Sequence, residues 1–262
     1  MALHVVSDPH GHRDELARAL QRVGLLDAAE VWAGGTDQLW VLGDFFDRGP
    51  DGVGVVDLVR RLQTEAPAAG GLVGAVLGNH EVLALGTRRF GETPVGGWRG
   101  SSFAASWVLN GGLAHDQDRL TDDHLAWIAA LPAVAVVDGW LLMHSDTTEY
   151  LKWGGSVDEV NDAIGAALAG GVDDVWRVWS DLTDRYAFTG RRGDRTAARV
   201  LARLGGERIV HGHSIVATLE PGRRRPSSTA GAFSYAGGLA LAVDGGLYAG
   251  GPLLVVPLDP AG

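Results

Sequence analysis

The sequence is organised around residues 41–50, which read Val41-Leu42-Gly43-Asp44-Phe45-Phe46-Asp47-Arg48-Gly49-Pro50. An apolar run that begins at Leu39 stops at Gly43-Asp44, which predicts a buried strand followed by a turn. Two carboxylates and one guanidinium should therefore lie on a loop after a strand. Because ligands bind at this edge of open α/β sheets, we expect a functional site here.

Four other apolar runs also end in polar residues, and these are again mostly Asp, His or Asn. The endings are Ser7-Asp8-Pro9-His10, Gly78-Asn79-His80, Met143-His144 and Gly212-His213. Six of the nine histidines lie in the five loops or next to them, whereas surface histidines would be scattered. Because parallel strands place their C-terminal loops at one edge of a sheet, we expect the five loops to converge.

The order of the elements predicts a single α/β domain over residues 1–262, with either two sheets or one mixed sheet. Strands and helices alternate early, which indicates a parallel sheet, and the late part reads as antiparallel. The tail, 239–243, 247–249 and 253–257, predicts a β-meander. Residues 86–118 are rich in Gly, Arg and Trp, and we interpret them as an insertion or lid over the site.

The composition excludes several classes of protein. The chain has no cysteine, so a metal would need His, Asp, Glu or Asn ligands. The net charge of −10 disfavours a nucleic-acid coat, which needs clustered positive charge. No signal-peptide pattern is found, and no segment reaches the roughly 18 apolar residues of a membrane span. We therefore expect a cytoplasmic protein without a membrane partner.

The polar residues of the five loops suit a pair of cations about 3.5–4 Å apart. Nitrogen and oxygen ligands that share one carboxylate can hold such a pair. The pair can bind and deprotonate a bridging water and clamp the oxygens of an in-line displacement. Hydrolysis of a phosphate ester is the reaction that this arrangement serves best.

In their order and spacing, the five motifs resemble the signature of calcineurin-like metallophosphoesterases. More narrowly, they are similar to the branch of Ser/Thr phosphoprotein phosphatases and symmetric diadenosine tetraphosphatases. The resemblance covers residues 8–213. It implies a four-layer α/β/β/α sandwich of two mixed sheets, with the site at the C-terminal ends of the strands.

The resemblance also implies a role for each motif residue. Asp8 and His10 would bind the first metal, Asp44 would bridge both metals, and the second metal would be completed by Asn79, His144 and His213. Arg48 and Asn79 would contact the phosphate. His80 would protonate the leaving oxygen while Asp47 holds its imidazole. The metals would be two divalent ions, expected to be Mn²⁺, with Fe, Zn or Co as alternatives.

Several residues refine or question this assignment. Nuclease-like branches carry a second histidine where this chain has Ile215, which disfavours a nuclease. The Trp179-Ser180-Asp181 segment with Asp184-Arg185 resembles the part of protein phosphatases that supplies a second phosphate-binding arginine, here Arg185. Asp146, after His144, is a departure that could bind a cation, repel a phosphate or contact substrate. In residues 86–118, the residues considered for substrate contact are Trp98, Trp107, Arg88, Arg89 and Arg99.

Three functions are compatible with these features. The first is a phosphomonoesterase of the protein-phosphatase type, in which a hydroxide bridging the two metals attacks a phosphoprotein or small phosphoester in line. The second is a nucleotide pyrophosphohydrolase similar to symmetric diadenosine tetraphosphatase. The third is a non-catalytic member that only binds metal, which His80, Asp47 and Arg48 argue against because a pure binder needs no acid.

Overall fold

The computed structural model describes residues 1–96, 101–219 and 231–260, so Trp98 and Arg99 lie outside the described residues. Within these ranges the chain forms nine strands and ten α-helices. The strands are β1 Leu3–Val6, β2 Gln38–Val41, β3 Leu72–Ala75, β4 Val134–Val137, β5 Trp140–Met143, β6 Arg208–His211, β7 Phe233–Tyr235, β8 Ala240–Ala242 and β9 Val255–Leu258. The helices are α1 Arg13–Arg22, α2 Gly52–Glu65, α3 Asn79–Phe90, α4 Phe103–Leu109, α5 Ala114–Arg119, α6 Asp122–Ala129, α7 Val157–Ala169, α8 Val172–Thr183, α9 Gly193–Leu204 and α10 Val216–Leu219.

The strands form two mixed sheets, which confirms the predicted fold class. The first sheet has the order β3-β2-β1-β9, and the second has the order β4-β5-β6-β8-β7. In the first, β1, β2 and β3 are parallel and β9 is antiparallel. In the second, β5, β6 and β8 are parallel, while the edge strands β4 and β7 are antiparallel.

The alternation of side chains along each strand makes the two sheets a sandwich between helices. Leu3 and Val5 of β1 pack with Trp140 and Leu142 of β5 in a cluster between the sheets. Their sequence neighbours, such as Val6 and Met143, belong to the larger core shared with the helices. The result is the four-layer α/β/β/α architecture.

The predicted β-meander at the C-terminus is wrong. Strand β8 pairs in parallel with β6, and β9 crosses to the other sheet and pairs with β1. Residues Leu247–Ala249 form a 3-10 helix between them. The period-2 pattern identifies a strand but not its partner, and the free edge of β1 provides the backbone groups that β9 needs.

The predicted insertion shares its first residues with a helix. Helix α3 extends from Asn79 to Phe90, so residues 86–90 continue the helix that begins in the third motif. That residues 86–118 form a lid stays a prediction. Over the described ranges, none of the helices combines the length and apolar character needed to cross a membrane.

Candidate active site

The ends of five parallel strands bring the motif residues together. The register pairs Val6 with Val41 and Val41 with Ala75, so β1, β2 and β3 end at one edge of the first sheet. In the second sheet Met143 is paired with His211. Asp8, Asp44 and Asn79 thus follow one sheet, and His144 and His213 follow the other.

The central residue of the cluster is Asp44, which is 1% exposed. Its Oδ1 lies 3.3 Å from Nε2 of His144, and its Oδ2 lies 3.6 Å from Nε2 of His10. Two groups of possible metal ligands share it, one with His10 and His80 and one with His144 and His213, and within each group the ligand atoms lie within 4.8 Å of one another. This is the geometry expected of a carboxylate shared by two sites.

Backbone carbonyls fix the orientation of three histidines. Nδ1 of His10 lies 2.9 Å from the Phe46 carbonyl, and Nδ1 of His144 lies 2.7 Å from the Leu42 carbonyl. His213 uses its other nitrogen, since its Nε2 lies 3.0 Å from the Thr183 carbonyl. A carbonyl accepts only from N–H, so the second nitrogen of each neutral ring is unprotonated and can accept a cation.

Asp8 and Asn79 complete the cluster. Oδ1 of Asp8 lies 3.8 Å from Nε2 of His10, whereas its Oδ2 accepts hydrogen bonds from Ser7 Oγ and, at 2.9 Å, from the backbone N–H of His213. Oδ1 of Asn79 lies 2.9 Å from Nε2 of His144. Each residue therefore presents an oxygen beside a histidine nitrogen of the site.

The electrostatics of the cluster favour a charged Asp44 and a neutral His10 and His213. Burial alone would raise the pKa of Asp44, but the surrounding imidazoles together hold this pKa well below its ordinary value; they belong to His144, His80, His10 and His213. Burial lowers the pKa of His10 and of His213 well below the usual range, and neighbouring His80 and His144 respectively lower them further. These shifts favour, at Asp44, His10 and His213, the protonation states that divalent cations require.

The donor set fits two divalent cations. All six predicted ligands are at least nine-tenths buried, and they offer imidazole nitrogens, carboxylate oxygens and one amide oxygen. Burial raises the pKa of Asp8, and the nearby Asp44 raises it further. Two buried carboxylates side by side are costly unless a positive charge compensates them.

His80 and Asp47 form a buried pair beside this cluster. Nδ1 of His80 lies 2.6 Å from Oδ2 of Asp47, and Nε2 of His80 lies 3.9 Å from Oδ2 of Asp44. The aspartate thus fixes the proton on Nδ1 and turns Nε2 toward the centre of the site. His80 also falls within ligand distance of the first group, so a ligand role competes with the acid role.

Arg48 lies against both groups. Its guanidinium nitrogens are 2.7 Å from Nε2 of His10 and 3.1 Å from Nε2 of His80. The Tyr248 ring packs under the guanidinium, 4.0 Å from Cζ to the ring centroid. Tyr248 follows the glycine-rich turn of the tail, and no sequence pattern indicates its position beside Arg48.

Arg185 lies near enough to affect the site, and Asp146 supports its loop. The positive charge of Arg185 contributes to lowering the pKa of His213. The Asp146 carboxylate is fully buried, and its oxygens accept from Ser214 Oγ at 2.5 Å and from the Tyr186 backbone N–H at 3.0 Å. These bonds direct the carboxylate to the loop that contains Arg185.

Glu81 is a second residue whose role the sequence did not reveal. It is fully buried, and its carboxylate accepts from the backbone N–H groups of Asp44, Phe45 and Gly78 at 2.8–2.9 Å. A Glu at the third position of a helix can accept from the backbone N–H of the N-cap residue, which is one half of a capping box. That the same carboxylate also reaches the loop of Asp44 depends on the tertiary structure.

The backbone of the site is strained. Of the ten non-glycine residues with positive φ among the described residues, six belong to the motifs: Asp8, His10, Asp44, Asp47, Arg48 and His213. Each such conformation costs on the order of 1–3 kcal/mol and typically marks a functional site. Gly43 (φ +87°) also permits close approach, since a Cβ there would lie 2.7 Å from Gly78 Cα.

The described arginines of the predicted insertion, Arg88 and Arg89, donate to backbone carbonyls. Arg89 donates to the carbonyl of Leu168 and, at 2.8 Å, to that of Gly170. Arg88 lies 3.4 Å from the Gln117 carbonyl. Trp107 donates its indole N–H to Oδ1 of Asp47 at 2.9 Å.

Comparison with known proteins adds independent findings. Residues 1–217 match the sequence profile of the calcineurin-like phosphoesterases. Shewanella-like protein phosphatase 2 of Arabidopsis thaliana is 32% identical over 83 residues, which are 32% of this chain and 21% of that protein. The symmetrical bis(5'-nucleosyl)-tetraphosphatase of Salmonella paratyphi A is 37% identical over 85 residues, which are 32% of this chain and 25% of that protein.

The matched segments thus span a quarter or less of these two relatives. A solved cold-active protein-tyrosine phosphatase from a psychrophilic Shewanella species has a TM-score of 0.69 at 20% identity, over 98% of this chain and 75% of that one. This last likeness concerns the fold.

Proposed function

Because the chain belongs to the calcineurin-like phosphoesterase family, we propose that it hydrolyses phosphate monoesters with the help of two divalent metal ions. The substrate would be a phosphorylated protein or a small phosphoester, and Mn²⁺ is the expected metal. The observation that carries this proposal is the buried His80–Asp47 pair, 2.6 Å apart, beside Arg48 and the shared carboxylate Asp44.

The residues of the proposed machinery divide the tasks among them, and Asn79 takes part in two. Asp8, His10, Asp44, Asn79, His144 and His213 would hold the cations. When bound, these cations supply Lewis acidity, which activates water and neutralises charge on the phosphoryl oxygens. Arg48 offers two guanidinium N–H groups to the phosphoryl oxygens, and Asn79 and Arg185 would add further donors.

His80 would donate the proton that the leaving oxygen needs. Its Nδ1–H donates to Asp47, so the proton to be transferred is the one that the protonated ring carries on Nε2, which faces the site. A positioned acid contributes roughly 10²–10⁴ in rate. A protein that only binds metal could use His80 as a ligand but would need no general acid.

The second candidate function is hydrolysis of a dinucleoside polyphosphate. It is favoured by the 37% identity to the symmetrical tetraphosphatase over 85 residues. It is disfavoured by Arg88 and Arg89, the two described arginines of the insertion that were considered for substrate contact, because they donate to backbone carbonyls instead. We therefore rank it below the monoesterase.

The proposal is tested with purified protein and added Mn²⁺, with and without a chelator. The substrates are p-nitrophenyl phosphate, a phosphoserine peptide and diadenosine tetraphosphate, and Asp44→Asn controls for contaminating phosphatases. We expect chelator-sensitive release of phosphate from the first two. Turnover of the tetraphosphate alone would establish the second candidate, and metal binding without any turnover would overturn both.

A further inference from the structure

The second oxygen of the Asp47 carboxylate is held from outside the motifs. Asp47 is fully buried, and its Oδ2 is bound to Nδ1 of His80. Its Oδ1 lies 2.9 Å from the indole Nε1 of Trp107. Among the described residues, this indole N–H is the sole hydrogen-bond donor to Oδ1 of Asp47. Trp107, Asp47 and His80 thus form one chain of hydrogen bonds that ends at the proposed acid.

The residues that follow Trp107 contact the neighbouring arginine. The backbone N–H of Arg48 donates to the Gly111 carbonyl at 2.9 Å, and the guanidinium Nε lies 3.4 Å from the Asn110 carbonyl. A single short segment, residues 107–111, therefore touches both members of the Asp47-Arg48 pair. Both of these residues have positive φ, 69° and 67°, and need such external support.

The helix that presents Trp107 is itself firmly anchored. Phe103, at the start of α4, is fully buried and packs against Phe90 and Trp176, with ring centroids 5.9 Å and 5.2 Å away. The Ala104 backbone N–H donates to the Gly91 carbonyl at 3.0 Å. Since α3 begins with Asn79-His80, the acid and its support are tied to the two ends of one helix.

We propose that Trp107 is a positioning residue for the general acid. Its indole N–H fixes the rotamer of the Asp47 carboxylate, so that the other oxygen meets Nδ1 of His80 and keeps Nε2 directed at the leaving oxygen. The inference rests on the proposed function, in which His80 is the acid. It gives residues 107–111 a task within the reaction, in place of the substrate contact that the sequence suggested for Trp107.

Substrates with different leaving groups separate this role from a merely structural one. Trp107→Phe keeps an aromatic ring and removes the N–H. The acid matters for phenyl phosphate, whose leaving group is poor, and hardly for 2,4-dinitrophenyl phosphate, whose leaving group departs unprotonated. We expect kcat for phenyl phosphate to fall about tenfold, the worth of one hydrogen bond to a charged group, with KM and metal content retained. For dinitrophenyl phosphate, kcat should stay within about threefold.

The matched control is Trp153→Phe, because the Trp153 indole also donates to a carboxylate, Asp181, at 3.0 Å. Trp153→Phe should leave kcat unchanged for both phenyl phosphate and 2,4-dinitrophenyl phosphate. Equal losses on both substrates in Trp107→Phe, or no loss on either, would overturn the positioning role.

A spectroscopic measurement keeps the inference testable whether or not the protein turns over these substrates. A proton held between Nδ1 of His80 and Asp47 should give a downfield resonance that disappears in Asp47→Ala. In Trp107→Phe this resonance should shift or broaden, and in Trp153→Phe it should not. An unchanged resonance in Trp107→Phe would refute the role of Trp107, whereas absence of turnover in the unmodified protein would refute only the proposed function.

Discussion

Nδ1 of His80 lies 2.6 Å from Oδ2 of Asp47, although 33 residues separate the two in the sequence. The pair is buried, and the histidine presents its other nitrogen to the carboxylate of Asp44. Asp47 orients the imidazole independently of any cation, as a carboxylate also does for many metal-ligating histidines. The geometry is therefore compatible with His80 as an acid or as a ligand.

Replacing the proposed acid should therefore separate chemistry from metal binding. We expect His80→Asn to keep two metals per chain and to lower kcat by roughly 10²–10⁴, the contribution of general acid catalysis. Metal content by elemental analysis and turnover of an aryl phosphate are measured on the same sample. Loss of a metal would show that His80 is a ligand of the first site.

Asp44 is expected to be indispensable to both metal sites. Its two oxygens face different histidines, at 3.3 Å and 3.6 Å, so Asp44→Asn removes the shared negative charge and leaves one donor oxygen. Both affinities should fall, which titration calorimetry with Mn²⁺ measures. The exposed Asp14 provides the control Asp14→Asn, which should bind like the parent. Two metals retained at parental affinity in Asp44→Asn would contradict the bridging role.

The sequence predicted the convergence of the site well because parallel strands restrict where their loops can lie. Asp8, Asp44 and Asn79 must emerge at one edge once β1, β2 and β3 are parallel, whatever the rest of the chain does. By contrast, the path by which the C-terminal tail crosses from one sheet to the other is not encoded in a local pattern. Thus the partner of β9 was predicted wrongly, and Tyr248 was missed, although both lie in the same tail.

Roles that depend on side-chain direction were also beyond the sequence. Asp146 lies two residues after the predicted ligand His144. From the sequence it could bind a cation, repel a phosphate or contact substrate. Its bonds to Tyr186 and Ser214 exist only because the loop after α8 and the loop after β6 meet there. Similarly, Trp107 lies in the segment interpreted as a lid, and the sequence suggested contact with substrate. Only the packing of α4 directs its N–H to Asp47.

Tyr248 should contribute to substrate binding through Arg48. The ring lies 4.0 Å from the guanidinium and is 41% exposed, and such a contact is worth roughly 0.5–2 kcal/mol. We expect Tyr248→Ala to raise KM for an aryl phosphate about threefold to tenfold by loosening the guanidinium. Tyr248→Phe keeps the ring and should have a nearly parental KM. Equal effects of the two substitutions would assign the role to the phenol hydroxyl instead.

Glu81 should stabilise the fold around the site. Its carboxylate accepts three backbone N–H groups, whereas a glutamine amide would place its NH₂ against at least one of them. We expect Glu81→Gln to lower the free energy of unfolding by about 1–3 kcal/mol, as measured by urea denaturation. The control is Glu65, which accepts a single backbone N–H, from Trp32 at 3.0 Å. Glu65→Gln should therefore lower the free energy of unfolding by less than Glu81→Gln does. A loss no larger than that of the control would contradict the role of Glu81.

The lowered pKa values of His10 and His213 predict how the metal-free protein responds to pH. Burial is the main cause for both residues, so their imidazoles should stay neutral as the pH falls through the ordinary value of about 6.5. Neutral imidazole is the form that binds metal, and affinity for Mn²⁺ should therefore persist below this pH and fall only in more acidic solution. Affinity that is already lost near pH 6.5 would contradict this.

The contribution of Arg185 distinguishes the two histidines. Its positive charge is among the causes that lower the pKa of His213, after burial and His144, but it is not among those for His10. Arg185→Gln removes a charge that disfavours protonation, so the pKa of His213 should rise toward 6.5 while burial still keeps it lower; the pKa of His10 should not move. Imidazole ¹H–¹⁵N spectra of the chelated protein, recorded between about pH 4 and pH 8, give both midpoints, and the exposed Arg191 supplies the control Arg191→Gln. If the midpoint of His213 is unchanged, or if both midpoints shift equally, Arg185 does not lie beside the second metal site, and its proposed contact with the phosphate fails with it.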